Sequence, residues 1–589
     1  MTETTPNFEF TSYFSEPNNK LHKQYLALRR FFLDGHTAAQ IAVEFDYSIG
    51  TVYALVRDFK TNIRNGSEDP FFKVNKTGRK PIDQQGVIEE LVIDYRKKYY
   101  SVPDIKIALN GLGVNISEGL IYEIITKAGF ARLPRRGKDA KNEILSSTPS
   151  KIKAPVSEKL NLVDETFSTQ LAGLLCVLPY IVHYGIHDVI IGSSYPQTSD
   201  INRLSSILSF IALKLSNVKR YSADDSWCMD RGMGLFAGLN VLPKAAWFSS
   251  YSSTITRDTN LAFLKSLQTI WLDNNLLSDT MNLDFTTIPY WGDDEPFEKN
   301  WSGKRGKALA AICAVIAQDP HQGILCYGDT TIRHENQSDT ILEFLDFYHA
   351  DKNIDKPLKY LVFDSKFTTY QNLDILNQRA IKFVTIRRRG TRLVDRIRQI
   401  PDEQWNKVKI KKANSKSRTV TAYEEQTKIK SYNGIIRQIF IKDNGKIKPA
   451  IIITNELDMP IADLLQKYAA RWLVEKELAE HMDFFHLNRN SSGIVIKVDF
   501  DLTISLLTHN IYRLFALDYI GYTQCDAETI FDKFISGQGN VEIQSRTILV
   551  KLKKKRTLPL ILEQMEQFKE FSFPWLNGFK ISFVPDTTT

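Results

Sequence analysis

Tyr468-Ala-Ala-Arg471-Trp-Leu-Val-Glu475-Lys-Glu-Leu-Ala-Glu-His-Met-Asp-Phe-Phe485 is the stretch from which the fold can be read outward. It has no Pro or Gly and is rich in Ala, Leu, Glu and Lys, so one helix is predicted over 468–485. At 100° per residue, Arg471, Met482 and Glu475 fall at about 300°, 320° and 340° from Tyr468. Glu477 and Glu480 fall at about 180° and 120°, away from that face. One carboxylate therefore shares a face with a Tyr and an Arg, and its acidic neighbours do not. In isolation this is an amphipathic core helix with an Arg471–Glu475 pair at i,i+4. Acidic partners presented on strand ends elsewhere would give Glu475 a different meaning.

A chain of 589 residues is too long for one core, and several domains are expected. The net charge of +8 leans towards an acidic partner such as nucleic acid. Cys176, Cys228, Cys313, Cys326 and Cys525 are scattered without a CxxC, which argues against a disulfide framework or a zinc site and fits a reducing cytoplasm. The start, Met-Thr-Glu-Thr-Thr-Pro, shows no basic-then-apolar leader pattern. The longest apolar run, Leu171 to Val182, is too short to span a bilayer and is expected as a buried helix. A soluble, cytoplasmic protein with no membrane partner and no small-molecule substrate is expected.

Three helices are predicted within residues 21–60. Leu21 to Leu33 stops at Asp34-Gly35, Thr37 caps Ala38 to Phe45, and Ser48 opens Ile49 to Lys60. This is a helix-turn-helix plan, with Ser48, Thr51, Tyr53, Arg57 and Lys60 on the helix that would enter a major groove. Gly78-Arg79-Lys80-Pro81 in the following linker has the composition of a minor-groove arm, read through Arg79 and Lys80. Residues 83–137 repeat the helical theme and exit through Arg135-Arg136, placed to follow phosphates. Two such units in series suggest a long, bipartite site on double-stranded DNA.

Beyond a Lys/Ser/Pro linker, residues 160–275 read as mostly helical, with Leu160 to Val182, Ile201 to Leu215 and Thr259 to Leu276 as its helices. Strands then appear: Thr280 to Trp291 with Asp284 inside it, Ala308 to Ala317, Gly323 to Tyr327, Lys359-Tyr-Leu-Val-Phe-Asp364, and Ile381 to Ile386. Helices between them imply a mixed α/β sheet, in which a carboxylate at a strand's C-terminal end is placed for function. From Arg387 to Asn455 the β-rich runs Trp405 to Lys412, Arg418 to Lys428, Gly434 to Lys442 and Lys448 to Thr454 read as a basic all-β insertion, with Arg387 and Arg388 as DNA contacts.

Asp284, Asp364 and Glu475 form an oxygen-only set that suits Mg²⁺ or Mn²⁺ and can hold two ions. Asp293, Asp294 and Glu295 follow a turn-like Trp291-Gly292 and are expected in a solvated loop.

The order strand-Asp, strand-Asp, β insertion, helix-Glu resembles that of insertion-sequence DDE transposases with a Tyr-x2-Arg-x3-Glu-x6-Lys signature. Tyr468, Arg471 and Glu475 match its first three positions, while Met482 stands where the signature has Lys. The resemblance covers roughly residues 220–520. It implies a multidomain α+β chain: N-terminal helix-turn-helix units and an RNase H-like mixed α/β catalytic core interrupted by the β insertion. The expected domains are 1–65 (helix-turn-helix), 66–137 (linker and second helix-turn-helix-like unit), 138–160 (linker), 161–275 (helical), 276–390 and 458–525 (the two parts of the core), 391–457 (β insertion) and 526–589 (C-terminal segment). It further implies catalysis by Asp284, Asp364 and Glu475 with Mg²⁺, replaceable by Mn²⁺. Tyr468 and Arg471 would grip phosphates, and the partners would be the inverted-repeat ends of a mobile element and target DNA. A homodimer would form on DNA, in a prokaryotic cytoplasm at the nucleoid. The competing expectation is a transposase-derived DNA-binding regulator without catalysis.

Overall fold

The computed structural model describes residues 16–64, 71, 86–97, 100–130, 160–219, 226–291, 297–302, 306–349, 357–364, 369–411, 417–442, 449–489 and 494–586. The chain divides into two compact units, Met1–Gly86 and Val87–Thr589.

In the first unit, α1 (Lys20–Phe32), α2 (Ala38–Glu44) and α3 (Ile49–Arg64) enclose Leu26, Ala27, Ile41, Ala42, Phe45 and Val52. Thr37 and Gln40 form a reciprocal capping box that starts α2. The Ser48 hydroxyl accepts the Thr51 amide and so starts α3. The turn between α2 and α3 passes through Asp46 at φ 48°, a left-handed position that Asp tolerates.

The second unit opens with α4 (Val87–Lys97), α5 (Val102–Gly111) and α6 (Glu118–Lys127) around Val92, Ile105, Leu109, Ile121 and Ile125. This trio is docked on the rest of its unit. Ile494 completes its core, Phe130 bridges to Ile494, and Arg333 donates to the last carbonyls of α6, Thr126 at 2.8 Å and Lys127 at 2.6 Å. Gly129 lets α6 leave so close to the body: its φ is +78°, and a Cβ there would lie 2.8 Å from Val495 Cγ2.

The centre is a ten-stranded mixed sheet. Its strands are β2 (Thr280–Pro289), β3 (Lys299–Ser302), β4 (Lys307–Gln318), β5 (Leu325–Ile332), β6 (Tyr360–Phe363), β7 (Lys382–Ile386), β8 (Asn406–Lys411), β9 (Ser417–Thr427), β10 (Ile436–Ile441) and β11 (Ala450–Thr454); β1 (Glu165–Thr169) belongs elsewhere. The spatial order is β3-β4-β2-β6-β7-β11-β10-β9-β8, with β5 on the other side of β4. β2, β6 and β7 are parallel, and the remaining pairs are antiparallel. Central strands such as β10 and β11 are buried along their whole length, as strands covered on both faces must be.

The two faces of this sheet are covered differently. Leu283 and Phe363 pack with Phe344, Tyr348, Leu373 and Leu376 of the intervening helices. On the opposite face, Ile288, Ile312 and Ile316 meet Val474 and Leu478, and Val362 and Val384 meet Leu464, Leu465 and Tyr468. That opposite face carries the candidate site.

Several expectations change. Residues 468–485 are not one helix: α7 (Ile461–Ala470) and α8 (Trp472–Asp483) meet at Arg471, whose side chain is drawn down to the sheet. Residues 391–457 are not purely β, because a helix, Thr391–Arg398, precedes β8. These strands also do not form a separate body, since β11 pairs with β7 and extends the main sheet. The apolar run at 171–182 is a 3₁₀ turn, Ala172–Val177, followed by a short helix, Leu178–His183, both buried. Within the predicted helix 160–182, Glu165–Thr169 is instead β1, whose partner lies far along the chain. It joins β12 (Gly539–Gln544), β13 (Thr547–Leu552), β14 (Ser572–Phe573) and β15 (Phe579–Pro585) in a second sheet ordered β1-β12-β13-β15-β14. Among the described residues, no single helix is long and apolar enough to cross a membrane.

Candidate active site

Alternation along β2 puts Asn282, Asp284 and Ile288 on the face covered by α8, and alternation along β6 puts Val362 and the next residue but one, Asp364, on the same face. Leu283 pairs with Phe363 in the parallel register, so Asp284 and Asp364 follow side by side on neighbouring strands. The Asn282 side chain donates to the Ala470 carbonyl at 3.0 Å and pins the α7–α8 joint above them.

Arg471 stands at that joint. Its Nη1 meets Asp284 Oδ2 at 2.5 Å and its Nη2 meets Glu475 Oε1 at 2.8 Å. The guanidinium also lies 5.7 Å from the Tyr468 ring centre. Arg471, Tyr468 and Asp284 are buried, whereas the Glu475 side chain is half exposed. The expected Arg471–Glu475 pair is present, but Arg471 reaches down to β2 rather than out to solvent.

The electrostatics follow from burial. Removal from water pushes the Asp284 carboxyl up to about 6, with Glu475 and Asp364 adding to the rise and Arg471 opposing it. The Tyr468 phenol is pushed up to about 12 by burial, with Asp364 and Asp284 adding. For Arg471 burial acts against the charge, and Asp284, Tyr468, Glu475 and Asp364 outweigh it and hold the guanidinium charged. Arg471 faces Asp284 and Glu475 directly, and the more buried of these two carboxyls still retains its proton to unusually high pH. A set of hard carboxylate oxygens converging on one place fits a divalent cation. Because a proton would compete for Asp284, Mg²⁺ affinity of the full chain is expected to weaken about tenfold per pH unit below pH about 6 and to level off above it. Mg²⁺ titrations at pH 5, 6, 7 and 8 check this, and a flat profile would point to another set of ligands.

A second acidic group lies on the other side of α8. Glu477, Glu480 and His509 bring one ligand atom each within 4.8 Å of one another. The imidazole is used differently from a metal ligand. Nδ1 faces Glu480 at 3.2 Å, and Nε2 faces the Gly323 carbonyl at 3.0 Å and Glu477 at 3.5 Å. Both ring nitrogens face oxygen atoms, an arrangement that suits an imidazolium donating twice, a form with no lone pair for a metal. Burial acts to lower its pKa, and Glu477 and Glu480 overcome this and raise it. The neighbouring His481 is driven down to about 3 by burial and by the His509 charge. This group is an ion lock fastening α8 to the long helix Val495–Leu517 and to the turn before β5. His509→Gln should cost about 3 kcal/mol by leaving buried carboxylates without their cation. Since the folded pKa lies above the unfolded one, the lock contributes fully below pH about 6.5 and fades as pH rises through the folded value. Urea melts from pH 6 to 9 should show that decline in the parent chain and not in the variant.

The remaining expected residues separate clearly. Tyr53, Arg57 and Lys60 are exposed on one side of α3, whereas the Ser48 and Thr51 hydroxyls bond to each other at 2.8 Å across its first turn. Arg387 is bonded to the fully buried Gln438, and Arg388 is exposed. Met482 packs against the apolar cluster around Ile288 and Leu478 instead of facing outward. Trp291 donates to the Asn488 carbonyl at 2.6 Å. Arg79, Lys80, Arg135, Arg136, Asp293, Asp294 and Glu295 lie outside the described residues. Sequence reasoning missed His509 and Asn282, which carry no local signal because their partners lie far along the chain. It also passed over Trp472, 63 % exposed next to Arg471, where an outward Trp inside a helical pattern was the available clue.

Fold and geometry thus define a mixed α/β chain with an acidic centre where β6 ends beside the middle of the parallel strand β2, beneath a helix joint. Residues 279–511 match the family described as transposase DDE domain. Among solved structures, the chain is similar to a piggyBac transposase synaptic complex with hairpin DNA, determined by cryo-EM. That match has 13% identity and a TM-score of 0.31, and covers 57% of this chain and 75% of that one. No curated protein matches the chain.

Proposed function

We propose that the chain is a DNA transposase that binds the inverted-repeat ends of a mobile element, cuts a DNA strand there and joins the freed 3′-OH to target DNA. The observation that carries this reading is the placement of Asp284 and Asp364 side by side on parallel strands with Glu475 above them, all within the residues that match the transposase DDE domain family. The strand order β5-β4-β2-β6-β7, antiparallel then parallel, supports an RNase H-like core.

In this reading Asp284, Asp364 and Glu475 would hold one or two Mg²⁺ ions, which would supply Lewis-acid chemistry to a phosphodiester displacement. Arg471 keeps Asp284 and Glu475 aligned from the helix joint. Trp472 offers an exposed ring on which an unpaired base can stack. The helix-turn-helix unit α1–α3 reads the element end through Tyr53, Arg57 and Lys60, with α4–α6 as a second unit. Pairing two ends calls for two copies of the chain on DNA, in the cytoplasm of a prokaryotic cell.

The test is to incubate the full chain with duplexes carrying the DNA that flanks its gene, in Mg²⁺ or Mn²⁺. A metal-dependent nick leaving a 3′-OH, followed by joining to a second duplex, is expected. Specific binding without cleavage in either metal would overturn the enzymatic reading in favour of a DNA-binding regulator.

A further inference from the structure

The end of β7 carries Arg387-Arg388-Arg389, and the structure gives the first two opposite surroundings. Phe363 pairs with Thr385 in the parallel register, so Asp364 and Ile386 are level, and the chain leaves β7 beside the candidate site. Val384 and Ile386 pack in the cluster that contains Tyr468, on the site face. Arg387, one residue on, turns to the other face. It donates to Gln438, whose amide donates to Glu425 at 3.0 Å, and Glu425 is in turn paired with Arg396. Arg387 is thereby fixed in a partly buried polar chain built on the buried Gln438. Arg388 is exposed, makes no hydrogen bond or ion pair among the described residues, and lies just past the last backbone bond of this edge, from the Arg387 amide to the Ile451 carbonyl at 2.8 Å. It follows two residues after Ile386, the last residue of β7 and the one level with Asp364. That offset places a guanidinium within reach of a phosphate next to one lying over the carboxylates.

Resting on the transposase reading, we propose that Arg388 is the positioning residue that grips the phosphate adjoining the cleaved bond, while Arg387 serves only the fold. A planar guanidinium suits a phosphate because two of its N–H groups can donate to two oxygens at once. An exposed cation on the segment that follows β7 would also hold DNA in register without competing for the metal carboxylates.

The experiment measures single-turnover cleavage of flanking-DNA duplexes by the full chain in Mg²⁺, together with DNA affinity and thermal midpoint, for the parent, Arg388→Ala, Arg388→Lys and Arg387→Ala. Arg388→Ala should slow cleavage about tenfold to a hundredfold, the scale of one charge-assisted hydrogen bond, with the thermal midpoint unchanged. Arg388→Lys should recover part of the rate, and Arg387→Ala should lower the midpoint. A duplex with one neutral methylphosphonate at the phosphate beside the cut should slow the parent but slow Arg388→Ala no further. Cleavage by Arg388→Ala at the parent rate, or equal sensitivity of both proteins to the neutral phosphate, overturns the role of Arg388 and leaves the transposase reading standing. A parent chain that cuts no DNA in Mg²⁺ or Mn²⁺ overturns that reading and the role of Arg388 with it.

Discussion

Asp284→Asn, Asp364→Asn and Glu475→Gln should each reduce Mg²⁺-dependent strand cleavage by about three orders of magnitude or more, which corresponds to roughly 4 kcal/mol of barrier. Each exchange keeps the shape of the side chain and removes the charge that would hold a cation. DNA affinity should stay within about twofold, because phosphate contacts come from cations and these are acids. The three effects should not add: once one ligand is lost the site is lost, and a double variant should be about as inactive as either single one. Gel assays of nicking and of binding on the same duplexes check both parts. A variant that cuts at the parent rate would remove that residue from the site. Loss of binding in step with loss of cutting would mean that the carboxylates act through the fold.

Arg471→Ala has the second large expected effect, on stability and without any DNA present. The arm to Glu475 is half exposed and contributes less than about 1 kcal/mol. The arm to Asp284 is buried at both ends, and breaking a pair of that kind costs about 3–5 kcal/mol, because the carboxylate stays behind without its partner. Asp284 sets the sign of the pH dependence. Its folded pKa of about 6 lies above the unfolded value, so the folded chain holds this proton more tightly than the unfolded one. Its contribution therefore turns against folding as pH climbs from about 4 to about 6 and stays unfavourable above that. Removing Arg471 takes away the charge that restrains this rise and should extend the unfavourable range to higher pH. Denaturant melts between pH 4 and 8 measure both effects. Added Mg²⁺ should restore part of the lost stability in Arg471→Ala, since a bound cation stabilises the state that binds it. A variant as stable as the parent at pH 7.5 would show that Asp284 is neutralised by other means.

What the residues alone determine about this protein is mostly local. Thr37 with Gln40, and Ser48 before Ile49, mark helix starts because a side-chain oxygen within three residues satisfies a free amide, and both caps are present. The strands at 280–289 and 360–363 are legible because apolar runs bounded by polar residues have few other uses. The set Asp284, Asp364 and Glu475 could be named because its order along the chain resembles a family's order. What the tertiary structure decides is which of these residues meet. Helical periodicity puts Arg471 beside Glu475 but is silent about β2. Only the Asn282 contact to Ala470 and the break between α7 and α8 turn Arg471 into a buried partner of Asp284. The same holds for Glu477 and Glu480, which a helical wheel sets aside and His509 converts into a lock from the next helix but one. β1 and the C-terminal strands illustrate the limit most plainly. Glu165–Thr169 pairs with Gly539–Ile543 across more than half the chain, and a five-residue strand has no periodicity long enough to announce such a partner. Local signals fix elements because capping and alternation act over a few residues, whereas burial and charge at the candidate site depend on contacts that no window of sequence contains.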